Sequence, residues 1–202
     1  MTELFATGIQ MGESPRWHDG RFWMCDWIAG EVLAFDAEGN REVVTRVEGQ
    51  PFSIDWLPDA SCKQVADDVW FPNGMVVLGD DTLVVAESHA DRLTAWTITH
   101  SGELADRRVW ADLGPGSAPD GICADADGAI WYASVPGQRC TRVAEGGDVL
   151  DTIDVDRGCF SCMLGGDDGR TLFIAANRYS GGGASDGIVL TQRVDAPHAA
   201  RP

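Results

Sequence analysis

Short apolar runs alternate with polar turn signals along most of the chain. The clearest stretch runs from Pro119-Asp120-Gly121-Ile122-Cys123-Ala124, through Asp125-Ala126-Asp127-Gly128, to Ala129-Ile130-Trp131-Tyr132-Ala133. It reads as a strand, an Asp-Gly turn and a second strand. The phrase recurs. Asn73-Gly74-Met75-Val76-Val77 passes through Gly79-Asp80-Asp81 into Leu83-Val84-Val85-Ala86. Glu13-Ser14-Pro15-Arg16-Trp17 passes through Asp19-Gly20 into Phe22-Trp23, and Cys162-Met163-Leu164 through Asp167-Asp168-Gly169 into Leu172-Phe173-Ile174-Ala175. One residue opens each copy: Glu13, Asn73, Asp120 and Cys162.

The first copy continues into a third strand, Glu31 to Asp36, and a fourth, Arg41 to Val47. Four antiparallel strands with tight turns in about 35 to 40 residues are one blade of a β-propeller. Further blades start at Asn73, at Asp120 and near Cys159. Leu4 to Gln10 is expected to pair beside Ile188 to Val194 and complete the last blade, which removes two exposed edges. The loop Ser180 to Ser185 is rich in Gly and Ser and reads as flexible linker, and the end of the tail Asp195 to Pro202 reads as disordered.

The spacing breaks once. Asn73 to Asp120 is 47 positions and Asp120 to Cys162 is 42, but Glu13 to Asn73 is 60. That is too long for one repeat and too short for two. A blade opens at Gly49-Gln50-Pro51-Phe52, with Ser53 to Leu57 as its inner strand and Pro58-Asp59-Ala60 as its turn. Its second strand never comes. The reading is an all-β propeller, residues 1–202 as one domain, interrupted near 60–65 and shortened to about four to four-and-a-half blades.

Composition adds limits. The chain has 202 residues, 44% of them hydrophobic, and a net charge of −17. A core can form, and nucleic acid or an anionic membrane would be repelled, so neither is an expected partner. The N-terminal residues lack a signal-peptide pattern and no apolar run approaches the ~18 residues that span a bilayer; a cytoplasmic location is expected. The pair Cys159/Cys162 lacks a second pair or two histidines for a zinc site, so packing is the expected role of the six cysteines.

In a propeller the first strand of each blade lines the central channel. Glu13, Asn73 and Asp120 open three blades, so their oxygens could meet at the axis. Two carboxylates and an amide suit a hard cation such as Ca²⁺ or Mg²⁺. The alternative is that Asn73-Gly74 and Asp120-Gly121 are simply turns. Spacing does not decide between them.

The motifs Gly12-Glu13-Ser14-Pro15-Arg16-Trp17, Phe71-Pro72-Asn73-Gly74-Met75, Ala118-Pro119-Asp120-Gly121-Ile122 and Cys159-Phe160-Ser161-Cys162-Met163-Leu164 resemble, as a set and in order, the SMP-30/gluconolactonase (regucalcin-like) family. The resemblance implies a six-bladed propeller with one divalent cation in its channel, Ca²⁺ first, with Mg²⁺, Mn²⁺ or Zn²⁺ as alternatives. It implies Glu13, Asn73 and Asp120 as metal ligands, Asp120 as general acid/base, and a small-molecule sugar lactone as substrate. Six blades of about 45 residues need about 270 residues. The family's substrate-holding Arg and Asn residues, which lie between the Glu and Phe-Pro-Asn-Gly motifs, have no counterpart between Gln50 and Asn73. Three readings therefore stand: a metal-dependent lactonase, a non-catalytic Ca²⁺-binding or interaction propeller, and an impaired deletion form. Oligomeric state is left open.

Overall fold

The computed structural model describes residues 2–48, 54, 65–178 and 186–199. Among these residues sixteen strands fall into four antiparallel sheets of four. After β1 (Glu3–Ile9), the first blade is β2 (Gly12–His18), β3 (Arg21–Asp26), β4 (Glu31–Phe35) and β5 (Arg41–Arg46). The second is β6 (Pro72–Leu78), β7 (Thr82–Glu87), β8 (Arg92–Ile98) and β9 (Leu104–Asp112). The third is β10 (Pro119–Ala124), β11 (Ile130–Ser134), β12 (Arg139–Val143) and β13 (Val149–Asp154). The fourth joins β14 (Gly158–Gly165), β15 (Thr171–Asn177) and β16 (Gly187–Arg193) to β1. The expected closure is present: β1 runs antiparallel to β16, with Leu4 opposite Leu190. The expected strand Ser53 to Leu57, the turn and break that follow it, the loop Ser180 to Ser185 and the last residues of the tail lie outside the described residues.

Local chemistry explains the turns. Asp19 and Gly20 both take positive φ (49° and 72°), the conformation a two-residue hairpin needs, and link His18 to Arg21. Asp125 holds the β10–β11 turn: its carboxylate accepts the N–H of Asp127 (2.9 Å) and Ala129 (3.1 Å), and the Arg142 guanidinium at 2.6 Å. Part of the tail is docked. Ala126 N–H donates to Pro197 O, His198 N–H to Gly169 O, and Ala199 N–H to Ala124 O, so residues 197–199 tie the third blade to the fourth.

The inner strands are β2, β6, β10 and β14. β6 packs on β10, β10 on β14, and β14 on β2, whereas β2 and β6 are not packed on one another in this way. The burial pattern follows that order. The third blade has neighbours on both faces, so β10 and β11 are buried at every position. Cys123 and Trp131 face a core shared with blades one and four; Ile122, Ile130 and Tyr132 face a core shared with the second blade. Among the described inner strands β6 has one neighbour, and it is half-exposed, with Met75 at 61%.

The largest core holds an aromatic cluster. Phe173 stacks on Phe22 (centroids 4.7 Å apart, 11° between planes) and on Trp17 (5.5 Å), with Phe5 edge-on at 5.0 Å. Phe5 comes from β1, so the strand that completes the fourth blade also packs onto the first. The five described cysteines are free and buried, as expected of packing residues, and burial pushes the Cys25 thiol up to about 12. Among the described residues the one helical piece is a 3-10 turn, Ser88–Ala90, and no helix is long and apolar enough to cross a membrane.

Phe173→Ala would empty the centre of this cluster and lower stability by about 3–5 kcal/mol. Urea unfolding followed by tryptophan fluorescence checks this; a shift below about 1 kcal/mol would mean the aromatic cluster does not hold blades one and four together.

Candidate functional site

Each inner strand carries one extra residue near its start. Opposite Ala86, β6 places two residues, Asn73 and Gly74; opposite Ala133, β10 places Asp120 and Gly121. In β2 the pair is Ser14-Pro15, so Glu13 stands one register step before its bulge, paired with Cys25. The fourth copy differs from the sequence reading. Cys162 does not open it: Cys162 pairs with Ile174 and is fully buried, its thiol directed to the carbonyls of Gly121 and Trp131. The residue in the fourth bulge is Phe160, between Cys159 and Ser161.

The turn reading of Asn73-Gly74 and Asp120-Gly121 is overturned as well. Both glycines lie inside strands, and neither is among those with positive φ. They are there for close approach. A methyl on Gly74 would stand 2.7 Å from Asp120 O and 2.8 Å from Gly121 Cα, and one on Gly121 would stand 2.5 Å from Ser161 Cβ. The inner strands touch backbone to backbone directly beside the candidate residues.

This approach brings Glu13, Asn73 and Asp120 together. Burial, then the charge of Asp120, raises the Glu13 carboxyl well above its usual range. Burial raises Asp120 to about 7, opposed in part by the side-chain amide of Asn73, which lies within hydrogen-bonding reach. Glu13 is 8% exposed and Asp120 9%. No arginine, lysine or histidine forms an ion pair with either acid among the described residues. Among the described residues the buried Asp120 Oδ1 has no hydrogen-bond partner.

Three other carboxylates fix the chain as it approaches these strands. Asp26 accepts the N–H of Gln10 (2.8 Å) and Met11 (3.0 Å), just before Glu13. Asp91 accepts those of Gly116 (3.0 Å) and Ala118 (2.7 Å), just before Asp120, and these bonds hold its pKa below the usual value. Glu87 accepts Trp70 N–H at 2.7 Å, just before Asn73. Burial alone would raise Glu87, but Arg92, Thr94 and Trp70 outweigh it and hold it at about 2. The Ser88 hydroxyl donates to Pro119 O at 2.7 Å, next to Asp120. Sequence reading found none of these; the partner of each is a backbone group distant in the chain, which no motif displays.

Among the described residues, no group of three or more His, Cys, Asp or Glu side chains is disposed to hold a metal. The candidate centre has two acids and an amide, so its fit to a cation rests on the unpartnered Asp120 oxygen and the uncompensated pair of buried acids. Both favour a hard ion with oxygen ligands.

Residues 48–178 match the profile of the SMP-30/Gluconolactonase/LRE-like region. The chain belongs to this family. The matched part contains Asn73 and Asp120; Glu13 lies before it. A 6-deoxy-6-sulfogluconolactonase of Pseudomonas putida is 27% identical over 99% of this chain and 69% of its own length. A regucalcin of Xenopus laevis is 30% identical over 78% of this chain, which spans 51% of that protein. Among solved structures, a calcium-binding regucalcin from Agrobacterium tumefaciens superposes with a TM-score of 0.86 over 100% of this chain and 96% of that one, at 13% identity. The likeness shows the family's propeller fold.

In metal-free solution the two raised carboxyls make the folded protein hold protons more tightly than the unfolded chain. The contribution of Asp120 to stability is full below about pH 4 and is lost as pH rises through about 7, and that of Glu13 changes in the same direction. Asp120→Asn removes the buried charge. Its stability relative to the wild type, in chelator-treated buffer, is expected to grow from pH 4 to pH 7, reaching roughly 1–3 kcal/mol. Urea melts at the two pH values test this, and a constant difference would mean the acids are not close and buried.

Proposed function

We propose that this chain is a divalent-cation-dependent hydrolase of sugar lactones, with Glu13, Asn73 and Asp120 holding the cation and Asp120 acting as general base. The observation that carries this reading is the meeting of two buried acids and an amide with no cationic side chain among the described residues to neutralise them. The family supports a lactone as substrate: alongside the sulfogluconolactonase, an L-arabinolactonase of Azospirillum brasilense is 34% identical over 48% of this chain and 30% of its own length. Ca²⁺ is the first candidate because all three ligands offer oxygen.

When bound, the cation would supply Lewis-acid polarisation of the lactone carbonyl and stabilise the charge that develops on its oxygen. Asp120 takes the proton of the water that attacks the carbonyl carbon, a step worth about 10²–10⁴ in rate. A carboxylate beside a cation stays ionised at neutral pH, and the Asp120 oxygen without a partner among the described residues suits a group that takes a proton. Asn73 orients the carboxyl by its side-chain amide. Glu13 supplies the second negative charge that makes the site selective for a cation.

The non-catalytic alternative is motivated by the shortened chain, which lacks counterparts for the substrate-holding residues. Both readings are tested together. Hydrolysis of glucono-, arabino- and sulfogluconolactone is followed with added Ca²⁺ and with chelator, beside calorimetric Ca²⁺ titration. Metal-dependent turnover that falls about 10²-fold or more in Asp120→Asn is the expected result. Ca²⁺ binding without turnover of any lactone selects the non-catalytic reading, and absence of both removes the cation assignment.

A further inference from the structure

Three of the four inner strands contribute a side chain to the candidate centre. The fourth, β14, lies between the strands that carry Glu13 and Asp120, because β10 packs on β14 and β14 on β2. What β14 places at that level therefore sets how far apart the two acids stand. The residue is Ser161, fully buried. On one side its Cβ and Cα lie against Gly121, so closely that a methyl there would come within 2.5 and 2.7 Å of them. On the other side its hydroxyl donates to Gly12 O, at 3.4 Å. Gly121 follows Asp120 and Gly12 precedes Glu13. Ser161 thus touches the backbone beside both acids at once.

The contacts form a series from strand to strand: Gly74 against Gly121, Gly121 against Ser161, and Ser161 against Gly12. Ser161 is its one member with a side chain. A glycine there would leave a void on the Gly121 side and no donor for Gly12 O. A branched residue would press on Gly121 Cα, which has no side chain that could yield.

We propose that Ser161 is a positioning residue of the cation centre: its methylene spaces β14 from β10, its hydroxyl holds β2, and together they fix the separation of Glu13 from Asp120. The inference rests on the reading of these acids as cation ligands and adds a residue that touches neither the cation nor the substrate. Positioning groups behind metal ligands typically govern affinity by ten- to a hundredfold, because ligand placement must hold to about 0.5 Å.

The test uses Ser161→Ala, which keeps the spacer and loses the hydroxyl, and Ser161→Thr and Ser161→Val, which widen it. Ca²⁺ dissociation constants come from calorimetry at a temperature where each variant is folded by circular dichroism. Affinity is expected to fall by about tenfold or more in Ser161→Val, less in Ser161→Thr, and within about threefold in Ser161→Ala. A purely structural role would lower Tm in Ser161→Val while the folded protein kept wild-type affinity, and that result overturns the proposal. If Ser161→Val does not fold, Ser161→Thr decides by the same criterion.

A second readout needs no metal. Asp120→Asn should raise the urea midpoint of the metal-free protein by relieving the Glu13–Asp120 repulsion, and that rise should shrink by about half or more when Ser161→Thr is also present. An equal rise in both backgrounds overturns the spacing role. Wild-type protein that binds no Ca²⁺ refutes the cation reading instead, and the spacing role is then judged by this cycle alone.

Discussion

The structure depends on the inner strands meeting without side chains between them. β-strands in neighbouring sheets ordinarily stand about 10 Å apart because side chains interleave. Here Gly74 and Gly121 remove those side chains at one level, and Ser161 leaves a single methylene and a hydroxyl that reaches Gly12 O. The strands converge, and residues adjacent to the glycines converge with them. Two carboxyls are thereby held where burial raises the proton affinity of both and the charge of Asp120 raises that of Glu13 further. Burying such a pair is unfavourable, and the arrangement persists because backbone packing over-determines it. The surroundings of two such acids are a poor place for an anion and a good one for a small hard cation.

The stability that tolerates this strain lies away from the axis. The aromatic cluster of Phe5, Trp17, Phe22 and Phe173 sits between the first and fourth blades, and β1 closes the sheet whose edge would otherwise be open. The second blade has one packed face and depends more on polar contacts. On its other face Glu87, fully buried, receives Arg92 at 3.0 Å, Arg107 at 3.4 Å, the Thr94 hydroxyl and the Trp70 N–H. Such a network is satisfied on every side, which is the condition under which buried charge is tolerable. It also pins the segment that delivers Asn73, so support of the blade and placement of a candidate ligand come from the same side chain.

Much of this was legible from residue order. Asp-Gly turns and alternating apolar runs gave the four blades, and the pairing of the N-terminal strand with Ile188–Val194 followed from the need to remove edges. Repeated strands project residues toward one axis, and Asn73 and Asp120 take equivalent places in their bulges while Glu13 stands one register step before its own; their role as ligands belongs to the proposal. The fourth repeat was misread. Its Cys162 fits the spacing to the second strand, but the extra residue in β14 shifts the register, so Phe160 holds the bulge. A bulge is a property of two strands, and one strand's sequence does not display it. The role of Gly74 and Gly121 was hidden for a similar reason: Asn-Gly and Asp-Gly are turn signals by composition, and only packing shows that these glycines are sites of close approach. Asp26, Asp91 and Glu87 hold backbone N–H groups, which carry no sequence signature at all.

The shortening of the chain bears on the centre unevenly. The packed series β6, β10, β14, β2 contains every strand that carries a candidate ligand, and the break in the repeat spacing falls between β5 and β6, outside that series. Asp120 has packed strands on both sides. Glu13 and Asn73 come from the two ends of the series, and Asn73 is less buried than either acid, next to Met75 at 61% exposure. Among the described residues, then, the centre is walled by blades three, four and one, and its amide side is the accessible side. A break outside the series does not separate the candidate residues, because they are held by contacts between strands within it. Placement of the candidate residues is therefore independent of the interruption: they lie on strands that pack together, and the break in the repeat spacing lies outside that series.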